Sequence, residues 1–138
     1  MEETLTIIKP DAVRAGNAGR IIAHLEDAGF VIQAIRRIRL SRAQAEAFYA
    51  VHRERPFFED LVAFMTSGPA VAIALARENA VAHLRDTMGA TDSAQAAPGT
   101  IRNLYGTNIQ NNAIHGSDSP DNARVERAFF FAGCDLVG

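Results

Sequence analysis

One histidine stands apart from the other three in this chain. His115 lies in the run Asn111-Asn112-Ala113-Ile114-His115-Gly116-Ser117-Asp118-Ser119, whose small and polar residues would make a poor packed core. A neutral imidazole is a competent nucleophile. Gly116 has no side chain, which leaves room for another group to approach the backbone. Ser117, Asp118 and Ser119 supply hydroxyls and a carboxylate that can hold the ring or cap the helix that Pro120 begins. Two readings of the nonapeptide stay open: a nucleophilic His115, or a histidine in a surface turn whose neighbours only cap a helix.

Groups suited to an anionic ligand are spread along the chain. Lys9 ends a strand-like segment before Pro10 and Asp11, where a lysine is more often a solvated charge. Arg85 falls in the last turn of a helical segment, where a cation offsets the helix dipole. Thr91 and Arg102 lie within residues 90–113, a stretch poor in large apolar residues that leads to His115; long irregular segments inside compact domains are usually functional or disordered. Phe57 sits about 100° around a helix from Phe58, off the apolar stripe, where an aromatic can stack on a flat ligand. Tyr49 reads as a core residue with its hydroxyl toward a polar pocket, His52 as a helix end, and His24 as structural or surface. The chain has neither a G-x-x-x-x-G-K-[ST] loop nor a G-x-G-x-x-G turn, and it lacks the protein-kinase catalytic loop. Bound nucleoside phosphates would therefore be held by side-chain cations and a metal riding on the substrate; Lys9, Arg85 and Arg102 are suitable, because guanidinium forks match phosphate oxygens.

The elements that must position these groups follow from periodicity. Residues 4–9 alternate as a strand stopped by Pro10. Residues 18–28 form an amphipathic helix ended by Gly29. Residues 30–40 read as a second strand, with Arg36, Arg37 and Arg39 on a solvated face or at its end. Ser41 and Gln44 make a capping box for a helix carrying Ala45, Phe48 and Tyr49. Arg55-Pro56-Phe57 opens a helix with Phe58, Leu61, Val62 and Met65 as its stripe. Residues 71–76 are apolar enough for a central strand, and Asn79 caps a helix reaching Met88, with Gly89 as its stop. After Ser119-Pro120 a short helix is expected, then a fourth strand over residues 127–132 with its three phenylalanines, and Glu126 at the junction. The order is βαββαβ with insertions: a ferredoxin-like α/β (α+β) fold, a four-stranded antiparallel sheet with helices over one face and a long irregular loop before His115.

Composition bounds the function. With 138 residues, 48% hydrophobic and 22% charged, the chain reads as one soluble domain over residues 1–138. No apolar run approaches the ~20 residues of a membrane span, and Glu2 and Glu3 contradict a secretory leader, so a cytoplasmic protein without membrane contact is expected. Cys134 has no partner for a disulfide or at metal-ligand spacing. A net charge of −2 with scattered Lys and Arg argues against a nucleic-acid binder, which would show a basic stripe. It leaves room for a small anion where a few cations converge.

The segments Ile8-Lys9-Pro10-Asp11, Phe48-Tyr49, Arg55-Pro56-Phe57-Phe58, Phe64-Met65-Thr66-Ser67-Gly68-Pro69, Met88-Gly89-Ala90-Thr91, Pro98-Gly99-Thr100-Ile101-Arg102 and residues 112–119 closely resemble the nucleoside diphosphate kinase family, in the family's order over nearly the whole chain. The resemblance implies a phosphotransferase that moves the γ-phosphoryl group of ATP or another nucleoside triphosphate to a nucleoside diphosphate, by a ping-pong route through a phosphohistidine at His115 and with little base specificity. It implies phosphate and ribose contacts from Lys9, Arg85, Thr91, Arg102 and Asn112, and a base stacked on Phe57. Tyr49, Ser117 and Glu126 match residues that orient the histidine, and Asp118 an acid near magnesium, with Mg2+ carried mainly by the nucleotide phosphates and no separate protein metal site. It further implies a homo-oligomer, tetramer or hexamer. Three places depart from the family pattern: Asn103-Leu104-Tyr105, where a carboxylate is lost, Arg77 in place of a glycine, and the tail 132–138. The alternative from another class is a ferredoxin-like module that binds nucleotides to regulate without turnover.

Overall fold

The computed structural model describes residues 1–137. Its strands are β1 (Glu2–Ile8), β2 (Val31–Ile38), β3 (Ala70–Arg77) and β4 (Ile114–Gly116). Its helices are α1 (Pro10–Arg14), α2 (Ala18–Asp27), α3 (Arg42–Phe48), α4 (Phe58–Met65), α5 (Ala80–Met88), α6 (Ile101–Tyr105) and α7 (Pro120–Phe130). The sheet runs β2-β3-β1-β4 with every neighbour antiparallel, which is the ferredoxin-like order expected from βαββαβ.

Helices cover both faces of the sheet, not one, and β3 shows why. Its residues are buried from Ala70 to Ala76, and successive side chains point to opposite faces. Val71, Ile73 and Leu75 pack with Ile21 and Leu25 of α2 and Leu84 and Met88 of α5. Ala70, Ala72 and Ala74 face Tyr49, Val62, Met65 and Phe130, where the small alanines leave depth for aromatic and long side chains.

Two expectations about the end of the chain are overturned. Residues 127–130 continue α7, and residues 131 and 132 lie beyond it, so the phenylalanines are not a fourth strand; that strand is the short β4, inside the polar stretch. Phenylalanines favour strands, but Ala123 and Phe130 are both buried, about two helical turns apart, with Glu126 and Arg127 between them on the same face. Those two positions are charged because they serve Glu3, Gln33 and His115, so the helix lacks an apolar stripe. Ser119 caps it by accepting from the Asn122 N–H, with Pro120 in the first turn. The stretch 90–113 also holds order of its own: a 3-10 turn at Ser93–Gln95 and α6.

Local chemistry elsewhere follows the sequence with small changes. The Ser41–Gln44 capping box is formed in both directions. Asn79 precedes α5 with a left-handed backbone and no side-chain cap; the carboxylate of Glu2 instead accepts the Val81 N–H at 2.7 Å. Arg77 ties the end of β3 to the end of α2, donating to the Ala28 carbonyl at 2.6 Å and lying over the Phe30 ring. Among the described residues, no helix is long and apolar enough to cross a membrane.

Candidate active site

His115 is not in a surface turn. It sits mid-strand in β4, opposite Ile7 of β1, and its backbone carbonyl accepts from Thr6 Oγ1 at 2.7 Å. The Ser117 N–H continues the attachment to the Leu5 carbonyl. Gly116 does leave room, but the group that enters is part of the protein: a Cβ there would stand 2.9 Å from Met88 Sδ and 3.0 Å from Leu84, so the missing side chain lets α5 pack against β4. The imidazole meets α7 through one bond, Nε2 to Glu126 Oε1 at 2.9 Å. The same carboxylate oxygen accepts from Ser117 Oγ at 2.7 Å. A carboxylate can only accept from the ring, so in the neutral imidazole the proton sits on Nε2 and the lone pair on Nδ1.

His115 forms part of the wall of a cleft of about 670 Å3. Three cations from distant segments converge there: Lys9 from the end of β1, Arg85 from α5 and Arg102 from α6. Lys9 is buried, against the expectation of a solvated charge, and donates to Asn112 Oδ1 at 2.9 Å. Burial, then the charge of Arg102, pushes its ammonium down to about 8, with Asp11 opposing. Arg102 donates to the carbonyls of Gly89 at 3.0 Å and Ile114 at 2.9 Å; burial and the nearby Arg85 lower its guanidinium to about 10. Asn112 passes the contact on by donating to the Thr91 carbonyl at 2.9 Å, so the segment carrying Thr91 is fastened to the base of the cleft. Lys9, Asn112 and the Thr91 backbone thus form one chain of hydrogen bonds, and Arg102 is tied to backbone carbonyls beside them.

The other side of the cleft is aromatic. Phe57 is 48% exposed just before α4, where its ring is free to cover a flat group. Tyr49 is buried with its ring edge-on to His115 at 6.3 Å, and its hydroxyl finds no partner among the described residues. Burial, then Glu126, pushes that hydroxyl's pKa up, keeping it a neutral donor. Asp118 is exposed on the wall and accepts from Asn122. Every candidate site residue lines the cleft except Ser117, which lies buried beneath it and acts through Glu126.

Sequence reasoning missed part of the wall. His52, read as a helix end, belongs to a 3-10 turn at Ala50–His52, lines the cleft and lies 5.4 Å from the Phe57 ring. Ile109 and Gln110 line it from the polar stretch; a lone apolar residue among Asn and Gln was the signal available in the sequence. The lost carboxylate falls at Leu104, whose side chain is exposed; the neighbouring Asn103 amide still ties the loop, accepting the Gly99 N–H and donating to the Ala96 carbonyl, both at 3.3 Å.

A ferredoxin-like sheet that presents an oriented imidazole to a cleft with three cations on one side and an exposed aromatic on the other defines a class: proteins that handle a phosphorylated, flat-ringed ligand. The family model for nucleoside diphosphate kinase matches residues 2–136, and the chain belongs to that family of phosphotransferases. It is similar to the nucleoside diphosphate kinase of Wolinella succinogenes, 58% identical over 136 residues with 99% of each chain covered. It is also similar to that of Sorangium cellulosum, 55% identical over 99% of this chain and 95% of the relative. Among solved structures, the Aquifex aeolicus nucleoside diphosphate kinase superposes with a TM-score of 0.97 at 47% identity, covering 99% of both chains. A halophilic nucleoside diphosphate kinase from Halobacterium salinarum in complex with CDP gives 0.94 at 41% identity, covering 99% of this chain and 91% of that one.

Proposed function

We propose that this chain transfers the terminal phosphoryl group of ATP, or another nucleoside triphosphate, to a nucleoside diphosphate in two displacements at His115. The observation that carries the reading is the hydrogen bond between Nε2 and Glu126, which keeps the proton away from Nδ1. Nδ1 attacks the γ-phosphorus, an N–P bond forms, and the bond to the β,γ-bridging oxygen breaks, releasing the diphosphate. A terminal oxygen of the second diphosphate then attacks the same phosphorus, and the N–P bond breaks. Glu126 opposes the positive charge that the ring gains in the first step and is relieved in the second. Donor and acceptor use one cleft in turn, which is ping-pong kinetics.

The remaining residues position and neutralise, which is most of what a loose phosphoryl transition state requires. Lys9, Arg85 and Arg102 face the phosphates, with Thr91 and Asn112 beside them for phosphate and ribose oxygens. The unpartnered Tyr49 hydroxyl is a further donor near the transferring group. Phe57 stacks on the base, and because every base has a π-face, such a contact tolerates all of them. The complex of the Halobacterium salinarum relative with CDP supports a pyrimidine diphosphate among the substrates. Two exposed carboxylates, Asp60 and Asp118, line the cleft. That donor set fits Mg2+ carried on the phosphates with Asp118 beside it. When bound, the ion offsets phosphate charge. The same reading includes a single functional domain over residues 1–138, a cytoplasmic setting and a homo-oligomer, tetramer or hexamer.

Intact mass after incubation with Mg-ATP and no acceptor tests the proposal. Wild type should gain one acid-labile phosphoryl group and lose it on addition of GDP, while a folded His115→Ala should gain none. Absence of the gain in wild type would favour a nucleotide-binding regulatory module instead.

A further inference from the structure

Ala113, two residues before His115, has φ +75° and is fully buried. Only one other non-glycine residue among those described, Asn79, has a positive φ; asparagine tolerates that region, whereas alanine pays for its Cβ there. A residue held so is fixed by its surroundings, and the surroundings are specific. The Lys9 N–H donates to the Ala113 carbonyl at 2.8 Å. The Ala113 N–H donates to Asp11 Oδ2 at 3.1 Å. Both polar groups of this one residue are thus clamped by the Lys9-Pro10-Asp11 corner, and from there the chain enters β4 in the register that sets His115 opposite Ile7.

Asp11 does not line the cleft. Its other oxygen, Oδ1, is buried without a partner among the described residues, and burial pushes its carboxyl pKa up, a cost that a surface turn residue would not carry. We propose that Asp11 is a positioning residue for the phosphoryl transfer: its carboxylate holds Ala113 in the left-handed conformation and thereby sets the height and direction of His115 beneath the cleft. The inference rests on the reading of His115 as nucleophile.

The test is single-turnover formation of the phosphohistidine, with KM, kcat and melting temperature, in wild type, Asp11→Ala, Asp11→Asn, Ala113→Gly and the Asp11→Ala/Ala113→Gly pair. Asp11→Ala should slow phosphorylation about 10- to 100-fold, the size of effect expected when a reacting atom is displaced by about an ångström, with the loss in kcat and little change in KM. Asp11→Asn keeps an acceptor for the Ala113 N–H and should stay near wild type. Ala113→Gly removes the Cβ penalty, so in the double variant it should restore most of the lost rate. Equal phosphorylation in wild type and Asp11→Ala would overturn the proposal, as would a folded Asp11→Ala whose loss glycine does not relieve. If Asp11→Ala does not fold, a folded Asp11→Asn that loses tenfold or more would overturn it, and one near wild type would sustain it. Failure of wild type itself to phosphorylate His115 would strike the parent reading instead.

Discussion

Lys9 shows how much a single position can carry. An exposed lysine keeps its proton well above neutrality, but in this buried setting the ammonium titrates near 8. Phosphates favour the charged form, so above that pH the free enzyme must take up a proton to bind nucleotide. KM should therefore climb as pH rises from about 7 to about 9.5, while kcat, read on the loaded enzyme whose phosphates retain the proton, should change less; a KM that stays flat would remove Lys9 from the phosphate contacts. Stability moves with the opposite sign. Between about 8 and the unfolded lysine value of 10.5 the unfolded chain binds more protons than the folded one, so resistance to unfolding gains with pH across that window. Denaturant midpoints at both ends should show this gain in wild type and not in Lys9→Met.

At the scale of elements, α7 is the arm that holds Glu126 against His115, and its geometry starts at one hydroxyl. Ser119 accepts the Asn122 N–H at 3.1 Å. Removing that cap in Ser119→Ala should lower stability by about 1 kcal/mol, seen as an earlier denaturant midpoint, with the phosphohistidine still formed; an unchanged midpoint would mean that Pro120 and the packing of Ala123 fix the helix start without the cap. This helix is also where the sequence was least legible. Strand β1 and helices α2, α3 and α5 could be read from the period of their apolar residues, and β3 from a continuous apolar run that matches its burial on both faces. In α7 the buried face is given to Glu126 and Arg127, and β4 has only three residues, too few for any period to register. The site was legible for a different reason: His115, Lys9, Arg85 and Arg102 are chemically conspicuous wherever they stand. What the sequence did not disclose was their environment, such as the burial of Lys9, the left-handed Ala113 or the entry of His52 into the wall, because each depends on contacts between residues far apart in the chain.

On the scale of the whole molecule, the sheet is closed unevenly. β2 pairs with no strand but β3 among the described residues, with an irregularity in register between Ile32 and Ala34. Val31 and Ile35 remain 44% and 48% exposed on it. The C-terminal segment reaches the same strand, where the Val137 N–H donates to the Gln33 carbonyl at 3.1 Å. An edge strand carrying half-exposed apolar side chains is a template for association, and it supports the homo-oligomer expected of this chain. Sedimentation at micromolar concentration should give a multiple of the single-chain mass. Ile35→Lys should shift that mass downward, because a charge on the edge strand must be desolvated when two copies meet, while the unfolding transition of the separated chain stays cooperative. A wild type that sediments as one chain would end the oligomer reading, and an Ile35→Lys assembly of unchanged mass would move the contact away from β2.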